Sequence, residues 1–284
     1  MRSTGRTGTI YARCGLAVAW LAATCSWAAT GIDPTNKHAW AENVGWANAG
    51  PSNAEVLVYF DGDSGYLTGH AWGENIGWIK MGADAGGPYA NNSATNWGVN
   101  IDGAGKLSGY AWGENVGWLN FTSAYNQVTI DMETSHLEGY AWGENIGWIK
   151  FQGSRPNYSV RALAFQTQPQ GTPNWWLDYE GVDEDDDEGD DVPAWKEYVA
   201  DTDPWDSNSY FYISSFSHGS DMVVEFPSSS RRYYTLEWRG NMMSGGWTNV
   251  PSQTDVQGAG GPDSLQEPAG ATQRFYRVKV EVTP

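Results

Sequence analysis

Signatures of reaction chemistry are missing from this chain of 284 residues. It has no G-x-S-x-G nucleophile elbow, no H-E-x-x-H metal helix and no phosphate-cradling glycine loop opening a helix. Cysteine is almost absent. Cys14 and Cys25 both precede residue 29, so the chain beyond that point has no thiol nucleophile and no disulfide framework. Positive charge is also scarce: 16 Lys and Arg face 34 Asp and Glu, a formal charge of −18 that repels nucleic acid and anionic membranes and attracts cations. These deficits predict a non-enzymatic protein. The one hydrolytic arrangement they leave open is a pair of carboxylates distant in the chain and joined by folding.

Long apolar runs are lacking as well, apart from residues 15–23, which are too few to span a bilayer. That run follows Arg2, Arg6 and Arg13, and Ser26-Trp27-Ala28 supplies small residues where a signal peptidase reads. The pattern predicts a secretory signal over residues 1–28 and a secreted or cell-surface protein with no membrane span once it is removed. Its loss takes three arginines and no acid, moving the formal charge from −18 to −21. Leu21-Ala22-Ala23-Thr24-Cys25 faintly resembles a lipobox, with Ala22 and Thr24 in place of its usual residues, and offers lipid anchoring at Cys25 as an alternative.

What the chain does have is one phrase written four times: HAWAENVGW from His38, HAWGENIGW from His70, YAWGENVGW from Tyr110 and YAWGENIGW from Tyr140. Such self-similarity marks a supersecondary unit used repeatedly. Alternating, β-rich runs ending in Asp61, Asp102 and Asp131 precede the last three copies, and Leu67, Leu107 or Leu137 then leads into the phrase. Each unit therefore reads as strand a, strand b ending at the first Trp, a tight loop, and strand c opening with the second Trp. The roughly 255 residues beyond the signal suffice for two ordinary domains. Their composition divides them into a repeat domain over 29–166, an acidic linker over 167–209 and a β-sandwich over 210–284.

Side-chain parity assigns the faces of each unit, because alternate residues of a strand point opposite ways. In the third unit Leu107, Gly109 and Ala111 share one face, Tyr110 and Trp112 the other. Trp112 and Trp118 oppose each other across the hairpin, with Leu119 and Phe121 on the Leu107 side. Both faces carry residues worth burying, so an all-β, two-layer or closed arrangement is expected. The first unit lacks a strand a, and residues 158–165 supply an orphan strand resembling one. This predicts a propeller-like ring closing near Trp40 through the strand that ends at Phe165; an open meander is the alternative.

Packing is the favoured role for the repeat tryptophans, since a buried Trp removes roughly 150–250 Å² from water, about 4–6 kcal/mol. The competing role is ligand contact through Trp72, Trp78, Tyr110, Trp112, Trp118, Tyr140, Trp142 and Trp148, with Glu74, Glu114 and Glu144 at the adjoining loops. Glu42 occupies the same loop position in the first unit. The neighbouring Asn43, Asn75, Asn115 and Asn145 are expected to bond their own turns. His38 and His70 replace Tyr110 and Tyr140 and read as surface aromatics.

Residues 183–191 hold eight carboxylates, whose neighbours repel by roughly 0.7 kcal/mol at 5–6 Å even in water, so the segment is either solvated or gathered around a cation. One frame places Asp186, Glu188, Asp190 and Glu197 at Ca²⁺-loop positions 1, 3, 5 and 12. The run from Glu188 to Tyr198, followed by Ala200-Asp201-Thr202-Asp203-Pro204, resembles the calcium loops of dockerin and thrombospondin type 3 repeats of bacterial secreted proteins. The resemblance implies Ca²⁺ at those four residues with Asp203 as a further ligand. Asp191 stands where such loops carry Gly, and Ala194 supplies no oxygen at position 9.

Beyond residue 209 the chain alternates as strands over 210–214, 222–226, 233–238, 247–250 and 275–282, an antiparallel sandwich. Tyr234-Thr235-Leu236-Glu237-Trp238, Gly246-Trp247-Thr248 and Arg274-Phe275-Tyr276-Arg277-Val278 are similar to carboxy-terminal fibronectin type III-like modules, which implies display or attachment. The reading that results is a secreted or surface structural and adhesion protein with a calcium-stabilised linker. Its partner would be an extracellular glycan or a surface protein. A carbohydrate-binding module using the aromatic face, and a self-associating fibre subunit, are the alternatives.

Overall fold

The computed structural model describes residues 29–187, 189–268 and 274–283. The signal segment over 1–28, with Cys25, and the calcium-frame residue Glu188 lie outside the described residues. The described residues divide into two compact units, one of 29–169 with 173–181 and the other of 170–172 with those from 182 on.

In the first unit the repeats fold as the strands expected, b and c in the first copy and a, b and c in the other three. The first copy gives β1 (Ile32–Ala41) and β2 (Gly45–Asn48), and the second β3 (Val56–Phe60), β4 (Ser64–Gly73) and β5 (Gly77–Lys80). The third gives β6 (Val99–Asp102), β7 (Lys106–Gly113) and β8 (Gly117–Asn120), and the fourth β9 (Val128–Ile130), β10 (Leu137–Gly143) and β11 (Gly147–Lys150). A hairpin of β12 (Gln152–Ser154) and β13 (Asn157–Ala162) follows.

The b–c hairpins join side by side into a closed, eight-stranded antiparallel barrel. The last hairpin meets the first through Trp40↔Lys150 and Ala41↔Ile149. At the other end the leading halves of the b strands alternate with β3, β6, β9 and β13, so the wall continues as a second tier. Bridges at Thr30↔Val58 and His136↔Arg161 complete it. The ring is therefore closed, and it is a barrel rather than a set of propeller blades. β13 serves as the missing strand a of the first repeat, with Val160 opposite Lys37 just as Val99 is opposite Gly109. It pairs at Ile32 and Lys37, not near Trp40 as expected, because β11 holds the Trp40 edge. Phe165 lies in a short 3-10 turn and packs edge-on against Phe60, with ring centroids 5.0 Å apart.

Passing from one tier to the other bends the b strands at Gly69, Gly109 and Gly139, with φ of 75°, 90° and 82°. A Cβ there would lie 2.0–2.2 Å from the carbonyl oxygens of Glu55, Gly98 and Gln127, so only glycine fits. The first repeat has Lys37 at this place and absorbs the bend as an irregularity in its pairing with β13.

The core corrects the expectation that tryptophan builds it. Ala39, Ala71, Ala111 and Ala141 from the b strands, and Ala47, Ile79, Leu119 and Ile149 from the c strands, point inward, while the repeat tryptophans point out. An eight-stranded barrel leaves an interior only wide enough for modest side chains, and eight indoles would not fit. The space left is an apolar lumen of about 50 Å³, without polar groups to hold water. Helix α1 (Asn174–Glu180) adds Trp175 against Phe60, ring centroids 5.4 Å apart.

The second unit contains helix α2 (Ala194–Ala200) and two small sheets. One comprises β14 (Ser215–His218), β15 (Asp221–Pro227) and β19 (Pro262–Pro268). The other comprises β16 (Tyr233–Arg239), β17 (Thr248–Asn249), β18 (Val256–Gln257) and β20 (Phe275–Glu281). Met222, Val224, Phe226 and Leu265 from the first share one core with Tyr234 and Leu236 from the second, which makes a sandwich. The strand expected over 210–214 instead starts at Ser215. β19 was not legible, since Asp263-Ser264-Leu265-Gln266-Glu267 is mostly polar and has only Leu265 buried. Arg232 fastens α2, donating to the carbonyls of Val199 (2.9 Å) and Tyr198 and pairing with Asp201 (3.5 Å).

Candidate functional site

The outward face of the barrel carries a repeated aromatic cluster. Strand b presents His38, His70, Tyr110 or Tyr140 and, two residues on, Trp40, Trp72, Trp112 or Trp142; strand c presents Trp46, Trp78, Trp118 or Trp148. The two tryptophans of each hairpin sit directly opposite each other, as parity predicted. Their rings meet edge to face with centroids 4.6–4.8 Å apart and planes at 61–70°. The His or Tyr ring adds a further edge contact at 6.0–6.3 Å. Trp40, Trp72, Trp78, Trp118 and Trp142 remain 37–44 % exposed, and Tyr110 and Tyr140 are exposed beside them; Trp46, Trp112 and Trp148 are half-buried.

Polar residues interrupt this belt at regular places. Asn48, Lys80, Asn120 and Lys150 each lie opposite the His or Tyr of their own hairpin. On their other side they lie opposite the first Trp of the next hairpin around the ring. The barrel wall thus alternates ring faces with hydrogen-bonding groups. Asn48 and Asn120 accept N–H bonds from Gly50 and Thr122, which orients their amides. Lys80 pairs with Asp84.

Glu42, Glu74, Glu114 and Glu144 are exposed at the hairpin tips. Beside them the asparagines do not bond their own turns as expected. Asn75, Asn115 and Asn145 donate to the carbonyls of Val44, Ile76 and Val116 in the preceding repeat, 2.9–3.0 Å away, and Asn43 donates to Ile146 at 3.2 Å. The left-handed position in each turn belongs to the glycine two residues on, Gly45, Gly77, Gly117 or Gly147, which frees the Asn side chain to lock neighbouring hairpins.

The calcium frame is only partly drawn together. Among the described residues no group of three or more His, Cys, Asp or Glu is close enough to hold a metal ion. Glu184, outside the frame, is buried and accepts backbone N–H from Gln170 and Thr172 at 3.0–3.2 Å. Asp186 accepts from Asp183, Asp190 from Val192 and Asp203 from Trp205, all at 2.9–3.0 Å. Glu197 is fully buried on α2. Asp191 adopts φ of 66°, the left-handed conformation for which calcium loops use Gly at that position.

Comparison with known proteins found no matching family model, no similar curated protein and no similar solved structure.

Proposed function

We propose that the barrel is a carbohydrate-binding module of a secreted, non-enzymatic adhesion protein, with the aromatic belt as its binding surface. The observation that carries this reading is the outward placement of the repeat tryptophans around a core built of Ala, Val, Ile, Leu and Phe. Large exposed aromatics are unfavourable in water unless something covers them. A pyranose has a face of C–H groups that suits the electron-rich face of an indole or phenol, and its hydroxyls suit the Asn and Lys groups between the rings. Closure removes the open edges of the eight b and c strands, which favours glycan over self-assembly. The sandwich then serves as the attachment module.

A binding test uses retention on immobilised polysaccharides and a glycan array. Trp118→Ala and Tyr110→Ala should lose retention with melting temperature little changed, because neither ring contributes to the core. An array without signal for the intact protein would remove the reading.

A calcium-dependent linker is the second part of the proposal. It is supported by the left-handed backbone of Asp191, the conformation for which calcium loops use Gly at that position.

A further inference from the structure

We infer that the groove beside the closing hairpin is a subsite for an acidic sugar, a uronate, an assignment that rests on the glycan reading of the belt. It has a volume of about 640 Å³, within the range of small-ligand sites, and is lined by His136 just before β10, Glu138 of β10, Lys150 of β11, Gln152 of β12, and Asn157 and Tyr158 of β13.

Pseudo-symmetry explains why the groove is there. In the second and third repeats the link from strand c to the next strand a covers the equivalent spot. The Tyr89 hydroxyl donates to the carbonyl of Leu67 at 3.0 Å, and Gln127 Nε2 to the carbonyl of Leu107 at 2.9 Å. Leu137 is the counterpart in the fourth repeat, and among the described residues no side chain donates to its carbonyl. The link here is the β12–β13 hairpin, whose residues stand at the groove wall.

The chemistry of the lining fits a carboxylated sugar. Tyr158, edge-on to Trp46 at 5.0 Å, and Tyr140, with Lys150 Nζ 5.6 Å from its ring centroid, continue the aromatic belt to the groove. The Glu138 carboxylate is held by Gln152 Nε2 at 2.8 Å. Lys80, the equivalent lysine of the second repeat, pairs with Asp84, whereas among the described residues Lys150 has no carboxylate within ion-pair distance. Residues 29–169 carry only six Lys and Arg, and four of them, Lys37, Lys150, Arg155 and Arg161, lie on β1 or in the stretch from β11 to β13. The chain's overall negative charge does not cancel this, since physiological salt screens beyond about 8 Å.

Titration calorimetry with trigalacturonate and with the neutral trigalactose tests the assignment in wild type, Lys150→Met and Lys80→Met. The uronate should bind about tenfold tighter or better, an advantage abolished by Lys150→Met, retained in Lys80→Met and reduced by salt. Equal affinity for the two sugars, or an unaffected Lys150→Met, would overturn the groove assignment. A protein that binds neither trisaccharide but is retained on neutral polysaccharide overturns the groove alone. One retained on no polysaccharide overturns the belt as well.

Discussion

The side-chain amide of Asn43 donates to the carbonyl of Ile146, 103 residues away in the chain, and so ties the first repeat to the fourth. The three sister bonds, from Asn75, Asn115 and Asn145, span 31, 39 and 29 residues. A loop of 103 residues costs about 1 kcal/mol more to close than one of 31, so the seam is the least favoured junction of an otherwise uniform ring.

Replacing Asn43 or Asn115 by Ala should cost about 1 kcal/mol in either case, the usual net worth of such a bond. The two variants should differ in where they loosen. In Asn43→Ala, hydrogen exchange should accelerate at the Glu42 amide, which donates across the seam to the carbonyl of Trp148 at 3.2 Å; in Asn115→Ala, at β5 and β7. Truncation after Gln152 removes β13 and should expose β1 as much as β10. Unchanged protection of β1 would show that β13 contributes nothing to the first repeat.

Gly109→Ala should be far more damaging than Gly171→Ala, although both glycines have positive φ. The added Cβ would meet the Gly98 carbonyl oxygen at 2.2 Å in the first case and nothing within 4 Å in the second. A left-handed alanine costs about 1–2 kcal/mol on its own, so Gly171→Ala should stay near that figure and Gly109→Ala should exceed it in chemical denaturation.

Barrel stability should fall on mild acidification. His38 and His70 are held below the ordinary 6.5, chiefly by burial and next by Lys37 and Lys80, against the opposing pull of Glu74 and Asp84. The unfolded chain therefore takes up protons at higher pH than the folded one. The contribution is fully present above 6.5 and is lost as pH falls through the lower folded values. His38→Tyr with His70→Tyr, the residue of the sister repeats, should remove this part of the profile in melts between pH 7 and 5. Asp131, lowered from 3.8 by N–H bonds from Thr134 and Glu133, contributes a loss only in stronger acid.

Chelation should loosen residues 183–203 and increase protease cutting there while both β units stay folded, because binding energy becomes folding energy for a cation-dependent loop. Glu197→Gln should mimic chelation. Calorimetry with millimolar Ca²⁺ that gives no heat, together with unchanged proteolysis, would leave a solvated linker.

The sequence by itself determined everything that depends on local periodicity: the a, b and c strands, the opposed Trp112 and Trp118, and the orphan strand at one end answering the vacancy at the other. Each follows from the two-residue repeat of a strand and from turn chemistry. Parity could not say which face is inside, because Leu107 and Ala111 on one side and Tyr110 and Trp112 on the other are all apolar. Only the tertiary structure decided it: eight strands closed on themselves leave room inside for Ala and Ile, and the indoles must stand outside. The partner of Asn43, the strand that meets Trp40 and the groove under Tyr158 were illegible for a related reason. Each is set where residues more than a hundred positions apart meet at the seam, and nothing in the local pattern of either segment encodes the other.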